Sequence, residues 1–154
     1  MTNITKKHIR YNFVSNNLIF FLKFYFMRKF SEIELSIIGI QIGCVLRLAR
    51  LEQKLSQHDL ALVLGYTSTM IGRIERFENA TSWDKILLIS RQLNINHCDL
   101  FILKNRQDLI SIVDQSLNLD DKLTQEKLDY YNFLKKNILS KFELLERQKK
   151  DNKK

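Results

Sequence analysis

Proline is absent from the 154 residues, glycine occurs four times and cysteine twice. A sheet-rich domain needs more turn residues than that, so the scarcity points to an all-helical chain. Cys44 and Cys98 stand far apart, with no metal-ligand spacing around them. They read as buried thiols of a reducing cytosol rather than as a disulfide, and no metal site is expected. A bilayer-spanning run is missing too. The aromatic stretch "NNLIFFLKFYFM" is interrupted by Lys23, is shorter than the roughly 20 apolar residues a span needs, and has no small-residue cleavage site after it, which separates it from a signal peptide.

What is present is an ordinary apolar fraction of 45%, enough for a core of modest size in one domain with an appendage. The net charge is +8, but it is unevenly placed. Residues 1–30 hold six Lys and Arg and no acid, whereas residues 31–104 hold eight basic and eight acidic residues. The basic excess therefore reports mainly on the N-terminal arm, and local placement must decide what the chain binds.

Three regions follow from these shifts in composition. Residues 1–35 form a basic, aromatic arm, within which Met27 offers a second start. The part upstream of Met27 is either foreign to the native protein, an ordered helix or a membrane-surface segment. Residues 36–103 are the organised part. Residues 104–154 form a helical appendage with a charged tail, "RQKKDNKK". Here Leu128, Tyr131, Leu134, Ile138, Phe142 and Leu145 recur every three or four residues, close to a coiled-coil seam. That seam is open to its own domain, to a second copy in a homodimer, or to another protein.

Within 36–103 five short helices are expected. Ile42, Leu46 and Ala49 keep helical spacing in the first, with Arg47 and Arg50 on its other faces. Ser56 caps the second, with Asp59 completing a capping box and Leu55 stapling Leu60. Thr67 caps the third, where Tyr66 and Ile71 form a second staple. Ser82 caps a fourth, whose Trp83, Ile86, Leu87, Ile89 and Leu93 turn inward. Asn96 and Asp99 open a short fifth.

Gly65, in "LGY", suits the sharp turn between helices two and three, and the outline is that of a helix-turn-helix. On helix three, Met70, Ile71, Ile74 and Phe77 form the inward stripe, opposite Ser68, Thr69, Gly72, Arg73 and Arg76. The hydroxyls and free N–H groups at Thr67 to Thr69 favour anions. Arg73 has the reach for a guanine edge and Arg76 for a phosphate. Gly72 leaves a gap through which the helix approaches base edges closely. Ordinary helix capping and solvated arginines would read the same way from spacing alone.

Residues 42 to 101, "IGCVLRLARLEQKLSQHDLALVLGYTSTMIGRIERFENATSWDKILLISRQLNINHCDLF", resemble the Cro and phage-repressor helix-turn-helix family, called XRE-type. The anchors are "IG" and Arg50, "LSQ-x-x-LA-x-x-LG", "I-x-R-I-E", "ILLISRQLNI" and "DLF". The resemblance implies an all-α, five-helix lambda-repressor-like domain, here with an additional C-terminal amphipathic helix, that binds double-stranded operator DNA as a dimer. It implies Thr67, Ser68, Thr69 and Arg73 as base readers, Gln57 as a phosphate clamp that braces the recognition helix, and Arg76 as a backbone contact. It also implies a structural ion pair between Arg50 and Glu75. The chain departs from the pattern at Phe77, where the family usually has Gly, and at Thr81, where it often has Pro.

The function implied is transcriptional regulation in the cytoplasm, as a repressor of a palindromic operator. An antitoxin-like or adaptor protein, holding a partner with its C-terminal helix, is the alternative. No enzyme is expected. His58 and Asp59 lie in a capping turn, and His97 and Cys98 are helix neighbours pointing about 100° apart. No catalytic residues and no cofactor emerge.

Overall fold

The computed structural model describes residues 30–78 and 81–151. The expectations about the arm over residues 1–29, including its start at Met27, lie outside the described residues. Six α-helices and one 3-10 turn make up the rest, with no strand among the described residues. They are α1 (Glu32–Glu52), α2 (Gln57–Leu64), α3 (Ser68–Arg76), α4 (Trp83–Gln92), the 3-10 turn His97–Phe101, α5 (Arg106–Leu119) and α6 (Gln125–Asp151).

Helix α1 starts inside the stretch read as arm. Ser31 accepts from the Glu34 N–H at 3.2 Å while Glu34 accepts from the Ser31 N–H at 3.0 Å, a capping box that satisfies two orphan donors at once. The helix is apolar on two sides because it serves two cores. Ile38, Ile42 and Leu46 face Leu60, Ile71, Ile74, Ile86 and Ile89. Ile37 and Cys44 face Leu109, Val113, Tyr131, Leu134 and Ile138. Gln41 lies between the two cores, fully buried. Its amide donates to the carbonyls of Leu100 and Ile102 at 2.9 and 2.8 Å and accepts from the Lys104 N–H at 2.8 Å. It thereby pins the strand-like exit of the 3-10 turn, whose own backbone has no helix or sheet to satisfy it.

The scarcity of glycine is met in an uncommon way. Helices α1 to α4 each end with a residue in the left-handed region, namely Lys54, Gly65, Phe77 and Asn94. Each carries the paired backbone bonds of a Schellman motif, as in Tyr66 N–H to Ala61 O at 2.8 Å and Glu78 N–H to Arg73 O at 3.1 Å. Only one of the four is glycine.

Three sequence expectations change. Trp83 is 72% exposed rather than inward, because it is the first residue of α4 and the buried stripe is carried by Ile86, Ile89 and Leu93. Cys98 is exposed, on a 3-10 turn anchored by Leu100, while Cys44 is buried, and both are free thiols. The mixed stretch after residue 104 is itself a helix, α5, capped by Asn105.

The seam of α6 is used within the chain. Tyr131, Leu134, Ile138, Phe142 and Leu145 are buried against α1 and α5, so this face packs within the chain. Among the described residues no helix is long and apolar enough to cross a membrane.

Candidate nucleic-acid interface

The helix-turn-helix is α2, the turn at Gly65 and α3. Ser56 and Asp59 start α2 with reciprocal bonds of 3.1 and 2.8 Å. Gly65, at φ +67°, turns the chain, and Thr67 Oγ1 accepts from the Met70 N–H at 3.2 Å to open α3. Ile71 and Ile74 then hold α3 to the first core. With that side committed, the opposite side of α3 must face outward.

Thr69 and Arg73 are exposed on it, as is Thr67 at its cap. Ser68 is half-buried, its hydroxyl 3.4 Å from His58 Nδ1. Arg76 is exposed but engaged, donating from Nε to Glu78 Oε1 at 2.5 Å. This pairing holds the Glu78 carboxyl below the usual carboxylate range and places an acid beside the arginine expected to meet a phosphate. Gly72 is covered, so the gap expected there is filled in the free protein. A methyl group added to it would lie 3.2 Å from both Arg76 Nη1 and Gln57 Oε1. The side-chain ends of those two residues close over the middle of the helix.

Behind this face lies a buried polar cluster centred on Glu75, which is 3% exposed. Its carboxylate accepts from Arg50 Nε at 2.5 Å and Nη2 at 3.0 Å, from Gln57 Nε2 at 2.9 Å and from Arg47 Nε at 3.4 Å. Four donors match the acceptor capacity of one carboxylate. Arg50 also donates from Nη1 to the Leu55 carbonyl at 2.7 Å, tying the α1–α2 turn into the same cluster. Gln57, expected to clamp a phosphate, thus also links the start of α2 to the end of α3.

Helix α1 backs the far end of α3 closely. A methyl group on Gly43 would lie 2.5 Å from the Glu75 carbonyl oxygen, so only glycine permits this approach.

Sequence reasoning missed four residues here: Arg47 and Glu78, Gly39, which faces the Phe77 ring at the end of α3, and Tyr130, whose ring lies under Arg47. Arg47 was visible only as a charge off the apolar stripe. Glu78 sits two residues from Arg76, a spacing with no helical meaning. Gly39 and Tyr130 act through contacts at long sequence separation, which leave no local pattern.

Comparison with known proteins agrees with this geometry over its central part. The family model described as helix-turn-helix matches residues 46–100. No curated protein and no solved structure matches the chain. The matched segment includes α2, α3 and α4, and with it every residue named above as facing outward.

Proposed function

We propose that this protein, whose residues 46–100 belong to the Cro/C1-type helix-turn-helix family, is a transcriptional repressor that reads a palindromic operator as a homodimer in the cytoplasm. The observation that carries the reading is the outer face of α3. Thr69 and Arg73 stand exposed on a helix whose other side is locked by Ile71, Ile74 and the Glu75 cluster. A rigid helix with an arginine and hydroxyls on its free side fits the major groove, where Arg pairs with guanine O6 and N7. Phosphate contacts come from Gln57, Arg76 and the N-terminal end of α4. Two such helices about 34 Å apart enter successive major grooves, one on each half-site, and occupancy alone then blocks polymerase.

The near-neutral charge of residues 31–104 gives little counterion release, so non-specific binding is weak and specificity rests on paired half-sites. The apolar seam of α6 is buried in the chain's own core, so a second copy, like the partner of an adaptor, would meet the protein on another surface. The test is a genome-wide selection of DNA fragments bound by the full-length protein, with Arg73→Ala in parallel. The reading expects a palindromic motif that the variant no longer discriminates. Recovery of no motif by folded wild-type protein refutes it.

A further inference from the structure

Arg47 is an unusual member of the Glu75 cluster. Arg47 and Arg50 are both buried, yet they share one carboxylate, and Arg50 takes the bidentate, shorter bonds. Arg47 keeps one bond to it, of 3.4 Å. Its remaining charge is met by aromatic rings from the C-terminal helix. The guanidinium carbon lies 4.5 Å from the centroid of the Tyr130 ring and 5.5 Å from that of Tyr131. The two rings meet edge to face, 5.7 Å apart at 67°, which fixes the angle of the platform. A cation over a ring face within about 6 Å is attracted by its quadrupole, more strongly as water is excluded.

Tyr130 lies outside the matched segment, on a helix that packs on α1 and α5. A physical chain therefore runs from α6 through Tyr130, Arg47 and Glu75 to α3, with contacts at each step. Beside it opens a cleft of about 1060 Å³, walled by Arg47, Gln57, Arg76 and Tyr130 among others, and by the α5–α6 turn. The link through Arg47 therefore joins α6 to the recognition helix by polar contacts, beside the apolar packing of α1 on both helices.

We infer that Tyr130 and Arg47 are positioning residues for DNA recognition: the C-terminal hairpin holds Arg47 on Glu75, and so sets the pose of α3 and its operator affinity. The inference rests on the operator reading above. It makes the appendage a regulator of the helix-turn-helix, because whatever loosens α6 lowers DNA affinity without touching the DNA face.

The test uses the full-length protein and its selected operator. Tyr130→Leu keeps apolar bulk and removes the ring; Tyr130→Phe keeps the ring and removes the hydroxyl. Tyr130→Leu is expected to weaken operator binding about tenfold, within the range for a desolvated cation–π contact, while non-specific DNA affinity stays unchanged. Tyr130→Phe, which keeps the ring under Arg47, is expected to lose clearly less than Tyr130→Leu. Reciprocity demands that operator binding in turn favour the contact, so hydrogen exchange at the Arg47 Nε–H, followed by NMR in the wild type, should slow when operator is added. This second measurement stands even if the leucine variant does not fold. Wild-type operator affinity in Tyr130→Leu, equal loss in Tyr130→Phe, or Arg47 exchange unchanged by operator would each overturn the inference. Failure of the wild type to select any motif would instead overturn the operator reading, and this inference with it.

Discussion

The ring of Phe77 fills the notch left by Gly39 on α1, so closely that a methyl group on Gly39 would collide with it. Phe77 itself sits at φ +50°, ψ +41°, where the family usually has glycine. A left-handed non-glycine residue costs about 1–2 kcal/mol. Burying part of a phenylalanine side chain returns a similar amount or more. The strained left-handed phenylalanine and the glycine facing it thus form one packing unit.

This packing predicts a change of sign. Gly39→Ala alone should destabilise the protein by about 1–3 kcal/mol through overpacking. In a Phe77→Gly background the same change should become neutral or stabilising, since alanine is favoured over glycine in a helix by about 1 kcal/mol. Urea denaturation of the two single variants and the double variant gives the coupling; additive effects would show that the ring does not occupy the notch.

Glu78 should act as a brake on DNA affinity. It engages Arg76 and presents a negative charge beside the expected phosphate path. Glu78→Gln should strengthen binding several-fold and make the slope of log K against log salt steeper by about 0.9, one extra phosphate neutralised. Because Arg76 holds the Glu78 carboxyl below its usual range, the acid stays charged at mildly acidic pH. Lowering the pH from 7 to 5 should therefore not mimic the substitution. Fluorescence anisotropy across salt and pH measures both.

Gln41 predicts a large cost for a modest substitution. Gln41→Leu conserves volume but leaves the Leu100 and Ile102 carbonyls and the Lys104 N–H without their partner. The stranded Leu100 carbonyl is buried and costs about 1–3 kcal/mol, while the Ile102 and Lys104 groups lie on partly exposed backbone and cost less, so a loss of about 2–3 kcal/mol is expected, read as a drop in thermal midpoint. Amide exchange of Lys104 should accelerate with it. An unchanged midpoint would mean that water replaces the side chain freely.

The two thiols should differ in reactivity and in their effect at high pH. Burial pushes Cys44 up to about 12, with Arg47 opposing only in part, while Cys98 is exposed. A thiol reagent at pH 8 should therefore label one cysteine in the native protein and two in urea. Burial likewise raises Tyr131 to about 12, again against a smaller opposing effect of Arg47. Both groups bind their protons more tightly folded than unfolded. Their contribution is complete below the unfolded values, about 8.5 for Cys and 10 for Tyr, and is lost as the pH climbs toward 12. Stability should accordingly fall from about pH 9 upward. Cys44→Ala should flatten the first part of that decline.

Part of this protein is encoded in local chemistry alone. The caps at Ser56 and Thr67, the turn at Gly65 and the 3.6-residue stripe of Ile71 and Ile74 place α2 and α3 without reference to anything distant, because each depends on residues within one or two turns. The seam of α6 was equally legible as a pattern. Its partner was not, since an apolar stripe has no address until another stripe is seen against it. Tertiary structure decided that α1 would serve two cores and that α5 and α6 would close the second. It also decided that Phe77 would stand over Gly39, and that Arg47 would lie between Glu75 and Tyr130. Those outcomes join residues far apart in the chain, Gly39 with Phe77 and Arg47 with Tyr130, and such contacts follow from the packing of whole helices, which no short stretch of sequence specifies.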